Sequence, residues 1–519
     1  MRAYLVGSGI ASLAAAATLV RDGGVLAGNV TIFEAADQPG GAMAMYGDPA
    51  GGYVLPTGRI FEEEFRCTRD LLSLVPSATN PQRSIWDDIV RFNARYGYHA
   101  KVRLLDRSGA VAIAPHLGLS PRDRLDLARL ALTPEWQLDG KPIRDFFAPD
   151  FFESDFWIIW VSMMNALPQH SAMEMRRFIN RFLHLFPDLA TMTRIWRTPL
   201  NQYEALIEPV VAWLTRQGVK IVTGARVTDI GFAPTLERTT VNSLEIVEGG
   251  VTRTIEIAPE DLVLVTAASQ TAGLGIGSMR EAARPTDDGP ALALWRRLAE
   301  GRPEFGHPDT FFGAAHVPDT TWVTFTVTTR DPTFFRLYSD LTAAEPGRGG
   351  LLTVRDSSWL LTTALFHQPE FVAQPADVMV WWGYALYPDS VGDFVAKPMT
   401  GCTGEEILRE TVLQLGFERH MDDILANSTC IPCILPHAGT PWLVRTRADR
   451  PRVVPEGSTN FGFIGEFSEV PKEAAFTMEY AVRSAREAVS RLCGTEAPPP
   501  PYQGHHDPRA LYEALSALV

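Results

Sequence analysis

An α/β fold is predicted by three features of the chain. A short apolar run at residues 4–6 enters a glycine loop and then an alanine-rich helical run at 11–20. A second apolar run at 30–34 follows, so strand, helix and strand fill about 30 residues, the size of a β-α-β unit. Further strand-like runs alternate with helical periods to the end of 519 residues, a length that calls for two or three packed modules.

Residues 61–74 have helical spacing. From 85 to 200 the chain is dense in aromatics, among them Trp86, Phe92, Phe146, Phe147, Phe151, Phe152, Phe156, Trp157 and Trp160. That density predicts a mostly helical region with a large apolar interior. An amphipathic helix at 203–217 precedes strands at 220–227 and 261–266. Strand patterns at 321–329 and 376–387 predict a sheet in a second domain. A late strand at 461–464 and a helix at 477–492 follow. Pro498 to Pro501 form a stiff extended linker, and 508–518 a short closing helix.

Hydrophobic residues make up 46% and charged residues 21%, a soluble globular balance. The 47 basic and 61 acidic residues leave a net charge of −14, which excludes a general attraction to nucleic acid or anionic lipid. No segment reaches the roughly 18 apolar residues of a membrane span; the best candidate, 156–167, is too short and contains Asn165. The chain starts directly on a strand, so no signal peptide is expected. Five cysteines suggest reduced thiols and a cytoplasmic setting. Cys430-Ile-Pro-Cys433 has redox or metal spacing but lacks both the strand-to-helix context and a second ligand pair. His505-His506 read as surface residues, and no metal site is expected.

The first motif is Gly7-Ser-Gly9-Ile-Ala11-Ser12, with Glu34 ending the second strand. Gly7 allows the strand-to-helix turn. Gly9 lets backbone N–H groups approach a pyrophosphate at the helix N-terminus, and Ser12 is small enough for close helix–strand packing. Glu34 is placed to accept hydrogen bonds from a ribose hydroxyl. These features define a Rossmann-type dinucleotide-binding domain. FAD is favoured over NAD by Gly40-Gly41 shortly after the acid. A late Gly465-Glu466 turn predicts a contact near the ribityl chain. Ala11, Gly58, Arg59, Val227 and Thr477 complete the expected cofactor contacts, and the fixed charge of Arg59 suits a flavin or a reactive anion. The FAD-binding domain is expected to be discontinuous, from 1–60, 200–290 and 440–495. The mostly helical lid spans 61–199, the substrate domain with its sheet 291–439, and the tail 496–519.

With these residues in hand, the chain resembles the oleate hydratase family, also called myosin-cross-reactive antigens, from about residue 3 to about residue 493. The segments that carry it are Ala3-Tyr-Leu-Val-Gly-Ser-Gly-Ile-Ala-Ser-Leu-Ala-Ala-Ala16, His170-Ser-Ala-Met-Glu-Met-Arg-Arg177, Asn201-Gln-Tyr-Glu-Ala-Leu-Ile207, Asp356-Ser-Ser-Trp359, Asp449-Arg-Pro-Arg-Val-Val-Pro455 and Phe476-Thr-Met-Glu-Tyr480. The resemblance implies FAD, an unsaturated fatty acid or other apolar substrate, and addition of water to a C=C bond. It also implies a flavin domain, a substrate domain and helices closing over a lipid tunnel, for which the aromatic stretch at 146–167 is suited as tunnel or as plain core. A monomer or homodimer is expected. Many relatives carry a longer basic C-terminal extension; the short, nearly neutral closing helix here predicts no membrane docking by that route.

The sequence departs from the family where chemistry is expected. The family's Gly-Gly-Arg-Glu-Met stretch reads Thr57-Gly58-Arg59-Ile60-Phe61, so its catalytic glutamate is Ile60. Its tyrosine, after the paired arginines, is Phe178. In the run that holds a substrate carboxylate, Ala364 and Phe366 replace threonine and asparagine, and Glu370 replaces a histidine and is expected to repel a carboxylate. Replacement acids are sought at Glu63 and Glu64, which share a face with position 60 on a helix, with Arg59 a third catalytic candidate. Glu174 is read as structural, paired with Arg176 or Arg177. Three readings stay open: a hydratase with rearranged acid and base, a double-bond isomerase or other flavoenzyme, and a non-catalytic FAD- and lipid-binding homologue.

Overall fold

The computed structural model describes residues 1–234, 238–496 and 498–501; the closing helix expected at 508–518 and His505-His506 lie outside the described residues. Five short strands form a parallel sheet in the order Phe461–Ile464, Leu262–Thr266, Ala3–Val6, Val30–Phe33, Lys220–Val222. Successive side chains alternate between two cores, as the period of a strand requires. Ala3, Leu5, Ile32 and Leu264 pack beneath helices Ile10–Arg21 and Met478–Cys493. Tyr4, Val6, Phe33 and Val265 face the other way.

That other face is covered by an antiparallel meander of Ala225–Phe232, Val241–Glu248 and Val251–Glu256 and by helix Pro290–Ala299. The single strand expected at 220–227 is therefore two. Gly224, at φ +66°, turns the chain between them, so that one joins the parallel sheet and the other the meander. Residues 291–312, expected in the substrate domain, place Leu292, Trp295, Phe311 and Phe312 in the core on this face of the parallel sheet. Their large apolar faces complete it, and sequence periodicity does not say which core a helix joins.

The second sheet has eight strands: Gly275–Ile276, Ser428–Leu435, Trp322–Thr329, Met379–Ala385, Thr362–Leu365, Leu352–Val354, Leu104–Asp106 and Gly109–Ala110, in spatial order. The last two come from the region expected to be mostly helical. Leu104 and Leu105 point into different cores, a strand period too short to stand out over three residues. Cys430 and Cys433 lie on the strand Ser428–Leu435 and also enter opposite cores. Burial pushes both thiols up, Cys433 to about 12, so neither is poised for thiolate chemistry.

Most of the aromatic stretch is core. Phe156 stacks on Trp160 with ring centroids 5.6 Å apart, and Phe151, Phe156, Trp157 and Trp160 are buried. The helix Asp155–Met164 stops at Asn165, whose φ of +59° is left-handed. Among the described residues no helix is long and apolar enough to cross a membrane, and no cluster of three His, Cys, Asp or Glu could hold a metal.

Candidate functional site

A cleft of about 1060 Å³ opens over the C-terminal edge of the parallel sheet, where ligands of such folds bind. Gly7, Gly9, Ala11, Glu34, Gly40, Gly41, Arg59, Val227, Gly465, Glu466 and Thr477 all line it. Gly7 has φ +88°, and a Cβ there would lie 3.3 Å from Thr266 Cβ. Gly41 has φ +55°, and its Cβ would meet Gly9 Cα at 3.3 Å. A Cβ on Gly9 would meet nothing within 4 Å: it would stand in the cleft itself. The helix that starts after Gly9 has no side-chain cap, which leaves its first N–H groups directed at an anion. Glu34 Oε2 accepts from the Ser8 N–H (2.8 Å) and hydroxyl (2.5 Å), and Oε1 from Ala36 N–H (2.9 Å). A carboxylate has about four acceptor positions, so capacity for a ribose hydroxyl remains. This donor and acceptor set fits a dinucleotide.

Ser12 and Gly58 do not line the cleft. Ser12 is fully buried beneath it, 3.3 Å from the Thr266 hydroxyl, where its small size serves helix–sheet contact. Gly58 faces a second cavity.

Between the two cavities runs the segment from Tyr53 to Phe61, and the second sheet fixes its path. Thr324, Thr326 and Thr328 alternate along Trp322–Thr329. The Thr328 and Thr326 hydroxyls accept from Tyr53 and Leu55 N–H (2.9 and 2.8 Å), and the Thr324 hydroxyl donates to the Pro56 carbonyl (2.9 Å). Trp382 Nε1 donates to the Leu55 carbonyl at 3.0 Å. The Tyr53 and Leu55 N–H groups and the Leu55 and Pro56 carbonyls thereby find partners. The Arg59 carbonyl accepts from Gln202 Nε2 (3.0 Å), and the Phe61 carbonyl from Trp196 N–H (2.8 Å). Arg59 thus reaches both cavities. Its guanidinium lies 3.8 Å from Glu466 and over the Phe476 ring, and its buried Nε has no hydrogen-bond partner. Burial raises the Glu466 carboxyl above its ordinary value, with Arg59 pulling against it.

The second cavity is a chamber of about 1220 Å³. Its walls are chiefly apolar: Ile60, Met163, Met192, Ile195, Trp196, Trp322, Ala364, Phe366, Trp382 and Phe476. Met43 and Arg59 line both cavities, so cleft and chamber share a wall there. Polar groups include Tyr98, Asn165, Arg197, Asn201, Gln202, Glu370 and Tyr384. The Tyr384 hydroxyl donates to the Ser162 carbonyl. Arg197 lies over the Phe92 and Tyr98 rings, donates to the Tyr96 carbonyl, and keeps a buried Nε without a hydrogen-bond partner.

Four of the sequence expectations are corrected by this geometry. The helix expected from 61 begins at Arg66, because Phe61 bridges to Trp196 and residues 62–65 turn. Glu63 is therefore exposed and Glu64 pairs with Arg66 at 3.2 Å; neither lines the chamber. Phe178 does not line it either: the ring is buried against Trp442, centroids 4.3 Å apart. Glu174 pairs with Arg445 (2.7 Å) and Arg450 (3.2 Å), and its helix neighbour Arg177 adds a weaker attraction. Finally, Glu370 is buried, and burial raises its carboxyl well above the ordinary value, more than nearby Arg197 lowers it. That shift favours its neutral form and so lessens the repulsion expected toward a carboxylate.

Arg197, Tyr98 and Asn165 escaped sequence reasoning, since nothing in their local pattern marks them. Gln202 lies in a segment, 201–207, that was noted only for its resemblance.

Fold and cleft together define a Rossmann-type α/β protein with a largely apolar chamber beside the cleft over its parallel sheet. Two redesigned putrescine oxidases share this fold. One has a TM-score of 0.55 at 12% identity over 95% of this chain and 99% of that one, and the other 0.53 at 11% over 95% and 98%. The MCRA family model matches residues 1–490, and the chain belongs to that family. It is 33% identical to the oleate hydratase of Streptococcus pyogenes serotype M49 (strain NZ131), over 99% of this chain and 89% of that protein. To the linoleate hydratase of Lactiplantibacillus plantarum it is 29% identical, over 100% and 98%.

Proposed function

We propose that the protein is an FAD-dependent hydratase that adds water to a C=C bond of an unsaturated fatty acid, with acid and base groups rearranged from the family pattern. The observation that carries the reading is the junction of cleft and chamber at Arg59 and Met43. A flavin held by the glycine loop, Glu34, Arg59 and the Gly465-Glu466 turn would border a largely apolar space able to accept an acyl chain. The hydratase relatives support the same class. In such a site bound flavin supplies shape and charge stabilisation, since hydration involves no net redox change. The apolar walls exclude bulk water, and Arg197 supplies a fixed positive charge for a fatty-acid carboxylate.

The test is incubation of the protein with reduced FAD and a panel of unsaturated fatty acids in heavy-oxygen water. Hydration predicts a product heavier by one labelled water. A product of unchanged mass and shifted double bond would instead identify an isomerase, and ligand binding without any product a non-catalytic homologue.

Arg197→Leu is expected to raise KM for a free acid by about 10- to 100-fold. A hydrogen bond to a charged group contributes about 1.5–3 kcal/mol, and each 1.4 kcal/mol is tenfold. The methyl ester of the same acid should be turned over alike by both proteins. Equal loss for acid and ester would remove Arg197 from carboxylate recognition.

A further inference from the structure

The hydratase reading leaves a gap: protonating an alkene needs a proton donor, and Ile60 and Phe178 cannot serve. Among the described residues that line the chamber, Glu370 is the one carboxyl; the other ionisable groups are Arg59, Arg197, Tyr98, Tyr203 and Tyr384. The arginines are always charged. The three phenols are poorer acids than usual, each raised by burial.

Position 370 is tied to position 60 through one loop. The Trp196 N–H holds the Phe61 carbonyl, the Gln202 amide holds the Arg59 carbonyl, and Asn201 donates its N–H (2.9 Å) and Nδ2 (3.0 Å) to the Glu370 carbonyl. The Glu370 N–H is held by Gln374 Oε1 at 2.8 Å. The backbone is thus clamped on both sides, while none of the described residues hydrogen-bonds its carboxyl. A buried carboxyl that lines a cavity with unused hydrogen-bonding capacity is costly for the fold and suited to a ligand.

We propose that the Glu370 carboxyl is the general acid of this enzyme, returning from the loop after strand Thr362–Leu365 the proton-transfer group absent at position 60. The proposal rests on the hydratase reading. The Glu370 proton passes to one alkene carbon, the π pair forming the new C–H bond. A lone pair of water forms the C–O bond at the other carbon, and the proton released by that water restores the carboxyl. Atoms and charge balance with no oxidant or reductant. Arg197 and Glu204 are the charged groups that face Glu370, with Tyr98 also near. Arg197 opposes the raised acid and Glu204 reinforces it, and burial outweighs both.

Glu370→Gln keeps the size of the side chain but has no acidic proton to give. Its kcat should fall by about 10²–10⁴-fold, the usual worth of one acid, with FAD and fatty-acid binding retained and partial recovery in Glu370→Asp. A second readout is uptake of deuterium at the alkene from heavy water, lost in the variant. In the wild type, activity should fall as pH rises through the raised carboxyl value; a flat alkaline limb overturns the proposal even where a variant fails to fold. Hydration that persists in Glu370→Gln within about tenfold of wild type overturns this role and leaves the hydratase reading standing. Glu370-dependent deuterium uptake without hydration overturns the hydratase reading and supports the acid. A wild type that shows neither reaction overturns both.

Discussion

An aspartate in place of Gly9 is expected to leave the fold as stable as the wild type and to weaken FAD binding at least about 100-fold. The backbone of Gly9 is unstrained at φ −67°, and a Cβ there meets nothing within 4 Å. Gly9 is also the N-cap of helix Ile10–Arg21, which no side chain caps. Aspartate is among the best N-cap residues, so the helix itself should gain. The same carboxylate would occupy the N–H groups that a pyrophosphate needs and place like charge beside it. Like-charge juxtaposition costs several kcal/mol, and about 2.8 kcal/mol already amounts to 100-fold. Thermal unfolding of the apo-protein and flavin titration separate the two effects. Near-normal FAD affinity in a folded variant would remove the glycine loop from cofactor binding.

Removal of Glu174 should do the reverse and act on the fold. Glu174, Glu469, Arg177, Arg445 and Arg450 form a buried network: Arg445 pairs with Glu174 at 2.7 Å and with Glu469 at 3.0 Å, and Arg177 with Glu469 at 2.6 Å. It ties helix Ala172–Phe182 and the segment at 445–450 to the turn after Gly465 and Glu466, which line the cofactor cleft. Glu174→Ala takes the 3.2 Å carboxylate partner from buried Arg450 and leaves Arg445 with Glu469 alone, and removing one partner of a buried pair costs about 3–5 kcal/mol. The measurement is denaturant unfolding of the apo-protein; a change under about 1 kcal/mol would contradict the role. The network also makes the fold acid-sensitive. Burial alone would raise Glu469, but Arg177, Arg445 and Arg450 outweigh it and hold the carboxyl at about 2. Its folded value lies below the ordinary glutamate value of about 4.3, so its stabilisation is complete above that pH and is lost as pH falls toward 2.

How much of this was legible in the sequence follows from the range of each interaction. The glycine loop depends on neighbours in the chain, so Gly7, Gly9 and Glu34 are recognisable as residues and meet in one cleft. The paired arginines and Glu174 are visible as a motif, but Arg445 lies 271 residues from Glu174 and Glu469 lies 292 from Arg177, and even Glu135, which both arginines reach, is 41 and 42 residues away, beyond any local pattern. The shared face assumed for Glu63 and Glu64 failed because a long-range bridge, Phe61 to Trp196, holds the chain out of a helix until Arg66. Glu370 is legible as a residue, but its surroundings are not. Only the enclosing chamber shows that burial raises its carboxyl above the ordinary value. Arg197 carries no local mark; the rings of Phe92 and Tyr98 that hold it come from another part of the chain.

The central claim is that cleft and chamber form one site, meeting at Arg59. A crystal structure of the chain with reduced FAD and a bound unsaturated fatty acid tests it most directly. The flavin ring should lie against Arg59 and Met43, with the acyl chain in the chamber and its double bond in reach of the Glu370 carboxyl. An acyl chain bound outside the chamber, or a flavin separated from it by protein, would contradict the account.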